Sequence, residues 1–379
     1  MKTLRIFHPV GQGAYYTEVH ENTAGDSVFT VVFDCGSSTF TGKKLEALVG
    51  AAFAKNHQID ILFLSHFHAD HINGIDYLKK KYKIKNVVLP LLDDEAKVLQ
   101  KVSNFLDSGI TDTQLIDEPE SYFGNDTTII EVEAVENPGE NSEGITGEGE
   151  QVSDYNGRRK VSIPSGKMLM ADKAAAIDWL FIPFNYKYKS RKEMFVAELQ
   201  KLGLDLSQID TIEKISAHKA DIRKAYDKVK GDLNENSLLL FSGNADSKVI
   251  WSVVNNRYNP FYYDRVYRNC IYFGDINLNA TGIVEDIKTK LKMFLPTTGT
   301  MQVPHHGAIG NFNRGILEDA GFTCAIQSFG INNSYGHPSS TVVGELVRNN
   351  VFSFSVTEEP DSRLIQFSNQ DEEMFNMVE

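Results

Sequence analysis

The sequence predicts an α/β fold with a functional site at one edge of a sheet, and three observations indicate it. Apolar runs rich in β-branched residues recur along the 379 residues and have the length of buried strands. Stretches with apolar residues at helical spacing alternate with these runs, as in layered α/β folds. Polar turns rich in histidine and aspartate follow several of the strands, and open α/β sheets place their sites at the carboxyl ends of strands.

The start of the chain predicts a β-rich segment. Extended segments are expected at Leu4–Phe7, Tyr15–Val19 and Val28–Phe33. The glycines in Val10–Ala14 suit a tight turn or a close approach of two backbones. Asp34 follows the third strand, and turn formation is the alternative to a role in the site for this residue.

Helices and strands then alternate. Helices are predicted over Lys43–Lys55, Ile72–Lys80 and Asp93–Leu106, from the spacing of their apolar residues. Ile59–Leu64 and Asn86–Pro90 are predicted as the buried strands between them. This alternation indicates helices packed on a sheet.

The pattern changes between about residues 117 and 233. Strands are predicted at Thr127–Val135 and Ile177–Pro183, with a Gly- and Glu-rich loop between them, and polar helices follow from about residue 184. We interpret residues 1–379 as a single domain that contains 117–233 as an insertion. The helical part is expected beside the core or over a cleft.

The second half restores the core pattern. Buried strands are predicted at Asn236–Phe241, Cys270–Ile276, Thr300–Gly307 and Thr323–Gly330, and a turn at Asn332–Pro338 precedes a helix over Ser339–Arg348.

Composition narrows the function classes. The net charge is −13 and the pI is near 5.3, which argues weakly against a broad electrostatic surface for nucleic acid. The three cysteines are widely spaced, which favours a reducing compartment. No apolar run approaches the roughly 20 residues of a membrane helix, and the N-terminus lacks the apolar region of a signal peptide. A cytoplasmic protein without a membrane partner is therefore expected.

The stretch Phe63–His71 carries the clearest chemistry, because it holds three of the ten histidines and an aspartate on a strand-to-helix turn. Imidazole suits Zn, Fe, Ni and Cu, whereas carboxylate suits harder ions such as Mn. With His66 and His68 on one side of the turn and Asp70 and His71 on the other, two adjacent metal sites can begin here. Surface histidines at a helix start are the alternative, and the His-x-His-x-Asp-His spacing directly after a buried strand disfavours it.

Four polar turns share one context, the end of a predicted strand. Together they contain six of the ten histidines and two aspartates. The metal-ligand candidates are His66, His68, Asp70, His71, Asp275, His305, His306 and His337.

The His66–His71 motif resembles the signature of the metallo-β-lactamase-fold hydrolases. Further motifs resemble a subgroup, the soluble hydrolase domain of the DNA-uptake protein ComEC. They are Val10-Gly11-Gln12-Gly13, Asn236-Ser237, Phe273-Gly274-Asp275-Ile276, Val303-Pro304-His305-His306-Gly307 and Asn333-Ser334-Tyr335-Gly336-His337-Pro338. The resemblance spans both halves of the chain except Asp117–Leu233. Two positions depart from the subgroup, Ala14 where an aspartate is usual and Ala308 where a serine is usual. Channel-forming membrane helices are not predicted, so transport is not implied.

The resemblance implies a four-layer αββα fold and two divalent metal ions, with zinc expected first and manganese as the alternative. By resemblance, His66 and His68 would bind one ion, Asp70 and His71 the other, Asp275 would bridge them, and His337 would complete the second site. Asp34 would support the site through hydrogen bonds. Asp70 would also orient the nucleophile, while His305 or His306 would line the first site, bind substrate, stabilise the transition state or protonate the leaving group. One ion instead of two stays open, because many relatives have a further histidine ligand for which this chain has no clear equivalent.

The function implied is a metal-dependent hydrolase that uses a metal-activated water, most simply a phosphodiesterase or nuclease acting on nucleic acid or another phosphodiester. Two alternatives remain. One is a small-molecule esterase, lactonase or lactamase-type hydrolase with the same site. The other is a non-catalytic metal-binding module that has kept the fold.

Overall fold

The structure, a computed structural model, describes residues 2–21, 26–135, 137–140, 142–146, 148–171, 177–187, 190–229, 236–244, 251–255, 259–263 and 267–368. Its strands are β1 (Lys2–Phe7), β2 (Tyr15–Glu21), β3 (Ser27–Cys35), β4 (Gln58–Phe63), β5 (Lys83–Pro90), β6 (Thr128–Val132), β7 (Ala134–Val135), β8 (Glu150–Gln151), β9 (Lys160–Ile163), β10 (Leu169–Met170), β11 (Leu180–Lys187), β12 (Asn236–Gly243), β13 (Trp251–Asn255), β14 (Asn259–Tyr263), β15 (Asn269–Tyr272), β16 (Thr298–Gln302), β17 (Cys324–Ser328), β18 (Phe352–Val356) and β19 (Leu364–Ser368). Its α-helices are α1 (Gly42–Gly50), α2 (Ala69–Ile72), α3 (Ile75–Lys81), α4 (Asp94–Ser108), α5 (Gln114–Asp117), α6 (Pro119–Phe123), α7 (Ser190–Lys201), α8 (Ile212–Ala217), α9 (Lys219–Tyr226), α10 (Ile283–Lys290) and α11 (Ser340–Arg348).

The strands form two large sheets. The first has the order β14-β13-β19-β1-β2-β3-β4-β5-β6-β9, and the second has the order β18-β17-β16-β15-β12-β11-β10-β8, with β7 beside β11. Strands β3 to β6 run parallel to one another, as do β15 to β18. Each sheet therefore has a parallel part whose carboxyl ends share one edge.

Three apolar clusters give the molecule its layers. The cluster between the sheets combines side chains such as Phe33 and Phe63 of the first sheet with Leu240 and Tyr272 of the second. A second cluster packs α1 and α3 on the outer face of the first sheet. A third packs α10 and α11 on the outer face of the second sheet. The predicted α/β class with four αββα layers is therefore confirmed.

The segment after the metal motif differs in detail from the sequence expectation. Instead of one helix over Ile72–Lys80, the chain forms α2 and α3, which are separated at Asn73 and Gly74. The Asn73 amide accepts from Ser37 N and donates to Ser37 O. Gly74 lies so close to Cys35 that an added Cβ would be 2.8 Å from its Sγ. Tertiary contacts with the end of β3 thus break the helix that local periodicity favours.

Residues 117–233 contribute to both sheets before they become helical. Strands β6 and β9 extend the first sheet, and β8, β10 and β11 extend the second. Helices α7, α8 and α9 then pack against α4 through a separate apolar cluster, which includes Leu99, Val102, Phe195 and Ile222. This group of helices stands beside the parallel strand ends.

Helix α4 is delimited by local signals that the sequence carries. Asp93 precedes it, and its carboxylate accepts a hydrogen bond from Ala96 N at 2.8 Å. Gly109 ends it with a left-handed backbone, φ 66°. Among the described residues, no helix combines the length and the apolar character that a bilayer span requires.

Candidate metal centre

The polar turns that follow β4, β15, β16 and β17 meet at one place, where the two sheets approach each other. Leu238 N of β12 donates a hydrogen bond to Ser65 O at the start of the first turn. Gly274 packs against the same serine, because a Cβ there would lie 2.7 Å from Ser65 Cβ. The carboxyl ends of parallel strands from both sheets therefore face a common space.

Two groups of ligand atoms form there. His66, His68 and Asp275 make the first group, and Asp70, His71 and His306 make the second. Within each group all ligand atoms lie within 4.8 Å of one another. Both groups are assembled from different parts of the chain. Each offers three protein ligands, the number typical of a metal site that keeps a further coordination position open.

Asp275 stands between the two groups. Its Oδ2 lies 3.6 Å from His66 Nε2, and its Oδ1 lies 3.4 Å from His71 Nε2. One oxygen thus faces each group. The carboxylate is positioned through its own backbone, because Asp275 N donates to Ser237 Oγ at 3.2 Å.

The buried histidines are oriented by hydrogen bonds on Nδ1. His71 Nδ1 donates to Asp34 Oδ2 and His306 Nδ1 donates to Ser328 O, each at 2.8 Å. His66 Nδ1 lies 2.9 Å from Ser65 Oγ. These contacts leave Nε2 of each ring as the atom that faces the common space, which is the usual arrangement for a metal-binding histidine.

The atoms that face this space are buried and have no hydrogen-bond partner. They are Nε2 of His66, His68, His71 and His306 and Oδ1 of Asp275. A buried polar atom without a partner costs about 1–3 kcal/mol, and five of them in one place need an explanation. Divalent ions coordinated by imidazole and carboxylate satisfy all five, so the residues present fit the metal that the sequence implies.

Asp34 connects the end of β3 to this centre. Its carboxylate accepts hydrogen bonds from Ser65 N at 2.7 Å and from Ser65 Oγ at 2.6 Å, in addition to the one from His71. Burial raises the pKa of Asp34, although His71 and Ser65 oppose that shift. The side chain contacts a candidate ligand and lies outside both groups of ligand atoms.

Electrostatic coupling within the centre is strong. Burial would lower the pKa of His71, but the carboxylates of Asp275, Asp34 and Asp70 outweigh it and raise that pKa well above its usual value. Burial and the nearby charge of His71 lower the pKa of His66. Burial would raise the pKa of Asp275, but the surrounding histidines hold it well below its usual range. The Asp275 carboxylate is therefore available as an anion to balance positive charge at the centre.

Uncommon backbone conformations cluster around the centre. Asp34, His305 and His306 have φ values of 54°, 47° and 56°, a region that non-glycine residues rarely occupy. Gly13, at φ 140°, has no room for a side chain, because a Cβ would lie 2.6 Å from Asp70 O. Backbone strain of this kind persists only where the surrounding structure stabilises it, and it is frequent at functional sites.

The two remaining candidates, His305 and His337, belong to neither group of ligand atoms. His305 Nε2 is 3.7 Å from Asp275 Oδ2, and its side chain keeps 20% of its exposure. The ring of His337 lies 5.5 Å from that of His305 and 6.4 Å from that of His306, measured between centroids. His306, by contrast, brings Nε2 to 3.5 Å from Asp70 Oδ2.

The centre opens into a cleft of about 750 Å³. The candidate ligands His68, Asp70, Asp275, His305, His306 and His337 line part of it. Another part is lined by α4 and α9 with the residues that follow them, and we call this surface the α4–α9 wall. Its members are Ser103, Asn104, Leu106, Asp107, Ser108, Arg223, Tyr226, Asp227 and Val229.

No residue of this wall was predicted from the sequence to line a site. Its helical periodicity was visible, but contacts between α4 and α9 join residues more than one hundred positions apart, for example Arg223 Nη2 and Leu106 O at 2.6 Å. Ser65 was also missed as a hydrogen-bond partner, and its position next to His66 was the available signal.

Comparison with known proteins finds one matching family model. Residues 27–153 match the family model described as Metallo-beta-lactamase superfamily, and this match covers less than half of the chain. It includes β3, the Asp34 position and the whole His66–His71 motif. This part of the chain is therefore similar to the metallo-β-lactamase superfamily. No curated protein sequence matches the chain.

Several solved structures are similar at low sequence identity. The metallo-beta-lactamase fold protein YhfI from Bacillus subtilis has a TM-score of 0.41 and 9% identity, over 94% of this chain and 98% of that one. Unliganded yeast PDE1 has the same TM-score and identity, over 96% of this chain and 99% of that one. The subclass B3 metallo-beta-lactamase MEM-A1, from a soil metagenome library, has a TM-score of 0.31 and 9% identity, over 80% of this chain and 81% of that one. Similarities of this size carry no argument about activity.

Proposed function

We propose that this protein is a hydrolase that holds two divalent metal ions and cleaves phosphodiesters. The observation that carries the proposal is the set of five buried, partnerless ligand atoms in two adjacent groups, with Asp275 between them. Paired metal sites suit phosphoryl transfer, in which both the attacking and the leaving oxygen need stabilisation. The sequence resemblance to the ComEC hydrolase domain also supports a phosphodiester substrate.

In this proposal His66, His68 and Asp275 hold one ion, and Asp70, His71 and His306 hold the other. Asp275 faces both groups and would help to hold both ions. His306 thus replaces His337 in the set that the resemblance implied, because His306 is the histidine beside Asp70. Zinc is the expected metal and manganese the alternative, since both accept mixed imidazole and carboxylate ligands. When bound, the ions would supply Lewis acidity and lower the pKa of a water molecule.

The side chains around the ions have separate roles in the proposal. Asp34 holds the His71 ring through Nδ1, which keeps Nε2 directed at the centre. Asp70 Oδ2 accepts a hydrogen bond from the attacking water and orients it. His305 donates a proton to the leaving oxygen, because it lies outside both ligand groups and is partly exposed to the cleft.

A small-molecule ester or lactone hydrolase is the second candidate, and one observation favours it. Among the described residues that line the cleft, Arg223 is the only lysine or arginine. A groove for long nucleic acids would be expected to carry several cations along the phosphate backbone.

The test measures metal content by mass spectrometry together with hydrolysis of bis(p-nitrophenyl) phosphate on the same sample. We expect close to two equivalents of zinc or manganese and turnover that a chelator abolishes. His68→Ala should lose metal and turnover, whereas His218→Ala, a histidine outside the cleft, should keep both.

Two other outcomes would change the proposed function. Bound metal with hydrolysis of lactones or nitrocefin, but not of phosphodiesters, would favour the small-molecule hydrolase. Protein that stays free of metal after reconstitution would contradict a metal-dependent enzyme and favour a binding module.

A further inference from the structure

The loop between β17 and α11 carries an aromatic residue to which the proposed chemistry assigns no role. Tyr335 lies two positions before His337 and lines the cleft. The residue is 70% exposed, although most large apolar residues that the structure describes are buried. An exposed tyrosine at the mouth of a candidate active site offers a flat apolar face with a polar end.

The loop holds this tyrosine in a defined position. Asn333 Oδ1 accepts hydrogen bonds from Tyr335 N at 3.2 Å and from His337 N at 3.0 Å. Asn333 Nδ2 donates to Gly330 O and to His337 O, both at 2.7 Å. One side chain therefore fixes the backbone on both sides of Tyr335, so that little conformational freedom is lost when a ligand binds.

The ring of Tyr335 is stacked beside the centre. Its centroid is 5.7 Å from that of His337, with 27° between the ring planes. His337 in turn lies next to His305, which is next to Asp275. A substrate whose reacting group lies at the two ligand groups would therefore place a neighbouring substituent over the ring of Tyr335, and we call this substituent the arm.

The α4–α9 wall limits the size and charge of that substrate. Arg223 lies 3.7 Å from Asp107 Oδ1 and 3.9 Å from Asp227 Oδ1, through Nη1. The wall thus carries two carboxylates for one guanidinium. A polyanion would meet no net positive charge here, and the volume of about 750 Å³ suits a ligand the size of a small molecule.

We propose that Tyr335 is a substrate-binding residue that stacks on a planar arm of a compact phosphodiester. The arm is heteroaromatic, as in an ester of a single nucleoside phosphate, and nucleic-acid strands are not the preferred substrate. This inference rests on the proposed phosphodiesterase function and adds the class of substrate.

The test compares two esters that differ only in the arm, thymidine 5′-(p-nitrophenyl phosphate) and methyl p-nitrophenyl phosphate. Because both esters release p-nitrophenolate, the chemistry of the leaving group does not affect the comparison. Tyr335→Ala should lower kcat/KM for the thymidine ester by about 5- to 100-fold, mainly through KM, because stacking on an aromatic ring is lost. The methyl ester should change by less than about twofold, and Tyr335→Phe should retain wild-type kinetics for both esters.

Phe352→Ala is the matched control, since Phe352 is also an exposed aromatic residue, 51% exposed, but does not line the cleft. It should leave both esters unaffected. Equal losses for the two esters in Tyr335→Ala, or no loss for either, would overturn the role of Tyr335. Inhibition by an oligothymidylate strand more than about tenfold stronger than by thymidine 5′-phosphate would overturn the compact substrate.

A binding measurement distinguishes failure of the stacking site from failure of the proposed phosphodiesterase function. Calorimetry measures the affinity of the metal-loaded protein for thymidine 5′-phosphate, and Tyr335→Ala should weaken it by about the same factor as kcat/KM. Binding that depends on Tyr335 without hydrolysis of either ester would contradict the phosphodiesterase and keep the stacking site. Hydrolysis of both esters without any dependence on Tyr335 would contradict only the stacking site.

Discussion

At the scale of single residues, the candidate centre depends on which ring nitrogen each histidine presents. His71, His306 and His66 each have a hydrogen-bonding contact at Nδ1, to a carboxylate, a backbone carbonyl and a hydroxyl respectively. These contacts hold each ring with Nε2 directed at the common space. Rings held in this way reduce the reorganisation that metal binding requires.

The first prediction distinguishes the two histidines that compete for the second ligand group. His306→Ala should lower the metal content toward one equivalent, because His306 Nε2 is the imidazole atom beside Asp70 Oδ2. His337→Ala should leave the metal content close to two equivalents. Mass spectrometry of both variants, prepared in parallel with the wild type, measures this. The opposite result would restore His337 as the ligand and place His306 in the cleft.

At the scale of elements, α4 connects the helical group to the metal motif. Asn104 Nδ2 donates to Phe67 O at 2.8 Å, in the middle of the His66-Phe67-His68 turn. Gln100 Nε2 holds the same side chain by donating to Asn104 Oδ1 at 3.3 Å. The position of α4, which also packs on α7 to α9, is thus linked to the orientation of two candidate ligands.

The second prediction concerns this link. Asn104→Leu should destabilise the protein by about 1–3 kcal/mol, because Phe67 O loses its donor in a buried site. It should also weaken metal binding by about 10- to 100-fold, since the turn that carries His66 and His68 loses its support. Urea unfolding and a chelator competition titration measure the two effects.

Val102→Ala is the control on the same helix. Val102 is fully buried in the cluster that joins α4 to α7–α9, so its truncation should lower stability while metal affinity stays unchanged. Equal losses of metal affinity in both variants would show that Asn104 acts only through general stability.

At the scale of the whole molecule, a buried charge network joins the two sheets. Glu18 Oε1 accepts from Arg5 Nε at 2.7 Å and from Tyr272 Oη at 2.6 Å. Glu18 Oε2 accepts from Ser242 Oγ at 2.7 Å. Arg5 and Glu18 belong to the first sheet, whereas Tyr272 and Ser242 belong to the second. Burial would raise the pKa of Glu18, but Arg5 and the hydrogen-bond donors keep that pKa below its usual range.

The third prediction tests this network. Glu18→Gln should lower the free energy of unfolding by about 3–5 kcal/mol, because the charge of Arg5 remains buried without its partner. Glu345→Gln, which removes an ion pair with Arg348 on the surface of α11, should cost at most about 1 kcal/mol. Urea unfolding of the two variants at neutral pH provides the comparison, and similar losses would contradict a special role for the buried pair.

The fourth prediction concerns the dependence of stability on pH. His8 is buried, stacks on Tyr15 and contacts Thr17 Oγ1 through Nε2. Burial, assisted by the charge of Arg363, lowers the pKa of His8 to about 3 from its usual 6.5. Between these values the unfolded chain binds a proton that the folded chain excludes, so stability decreases as the pH falls from 6.5 toward 3.

His8→Gln should therefore reduce the acid sensitivity of the protein. The removed contribution is at most about 1.4 kcal/mol per pH unit, and above pH 6.5 the stability difference between variant and wild type should be constant. Urea unfolding at a series of pH values measures it. Parallel curves for wild type and variant across pH 4 to 6 would contradict a depressed pKa for His8.

The sequence by itself determined the layered α/β class, the strands that end in polar turns and the candidate residues on those turns. These are local properties, because periodicity indicates which face of a segment is buried, and parallel pairing brings strand ends to one edge. The break between α2 and α3 was not predictable, since it depends on contacts with Ser37 and Cys35.

Only the tertiary structure decided the arrangement within the centre and the shape of the cleft. It placed His306 beside Asp70, and it directed one oxygen of Asp275 to each group of ligands. It also brought α9 against α4 to form the wall that lines the cleft together with Tyr335. Distances of this kind result from packing between residues far apart in the chain, and a pattern along one segment contains no information about which distant segment will cover it.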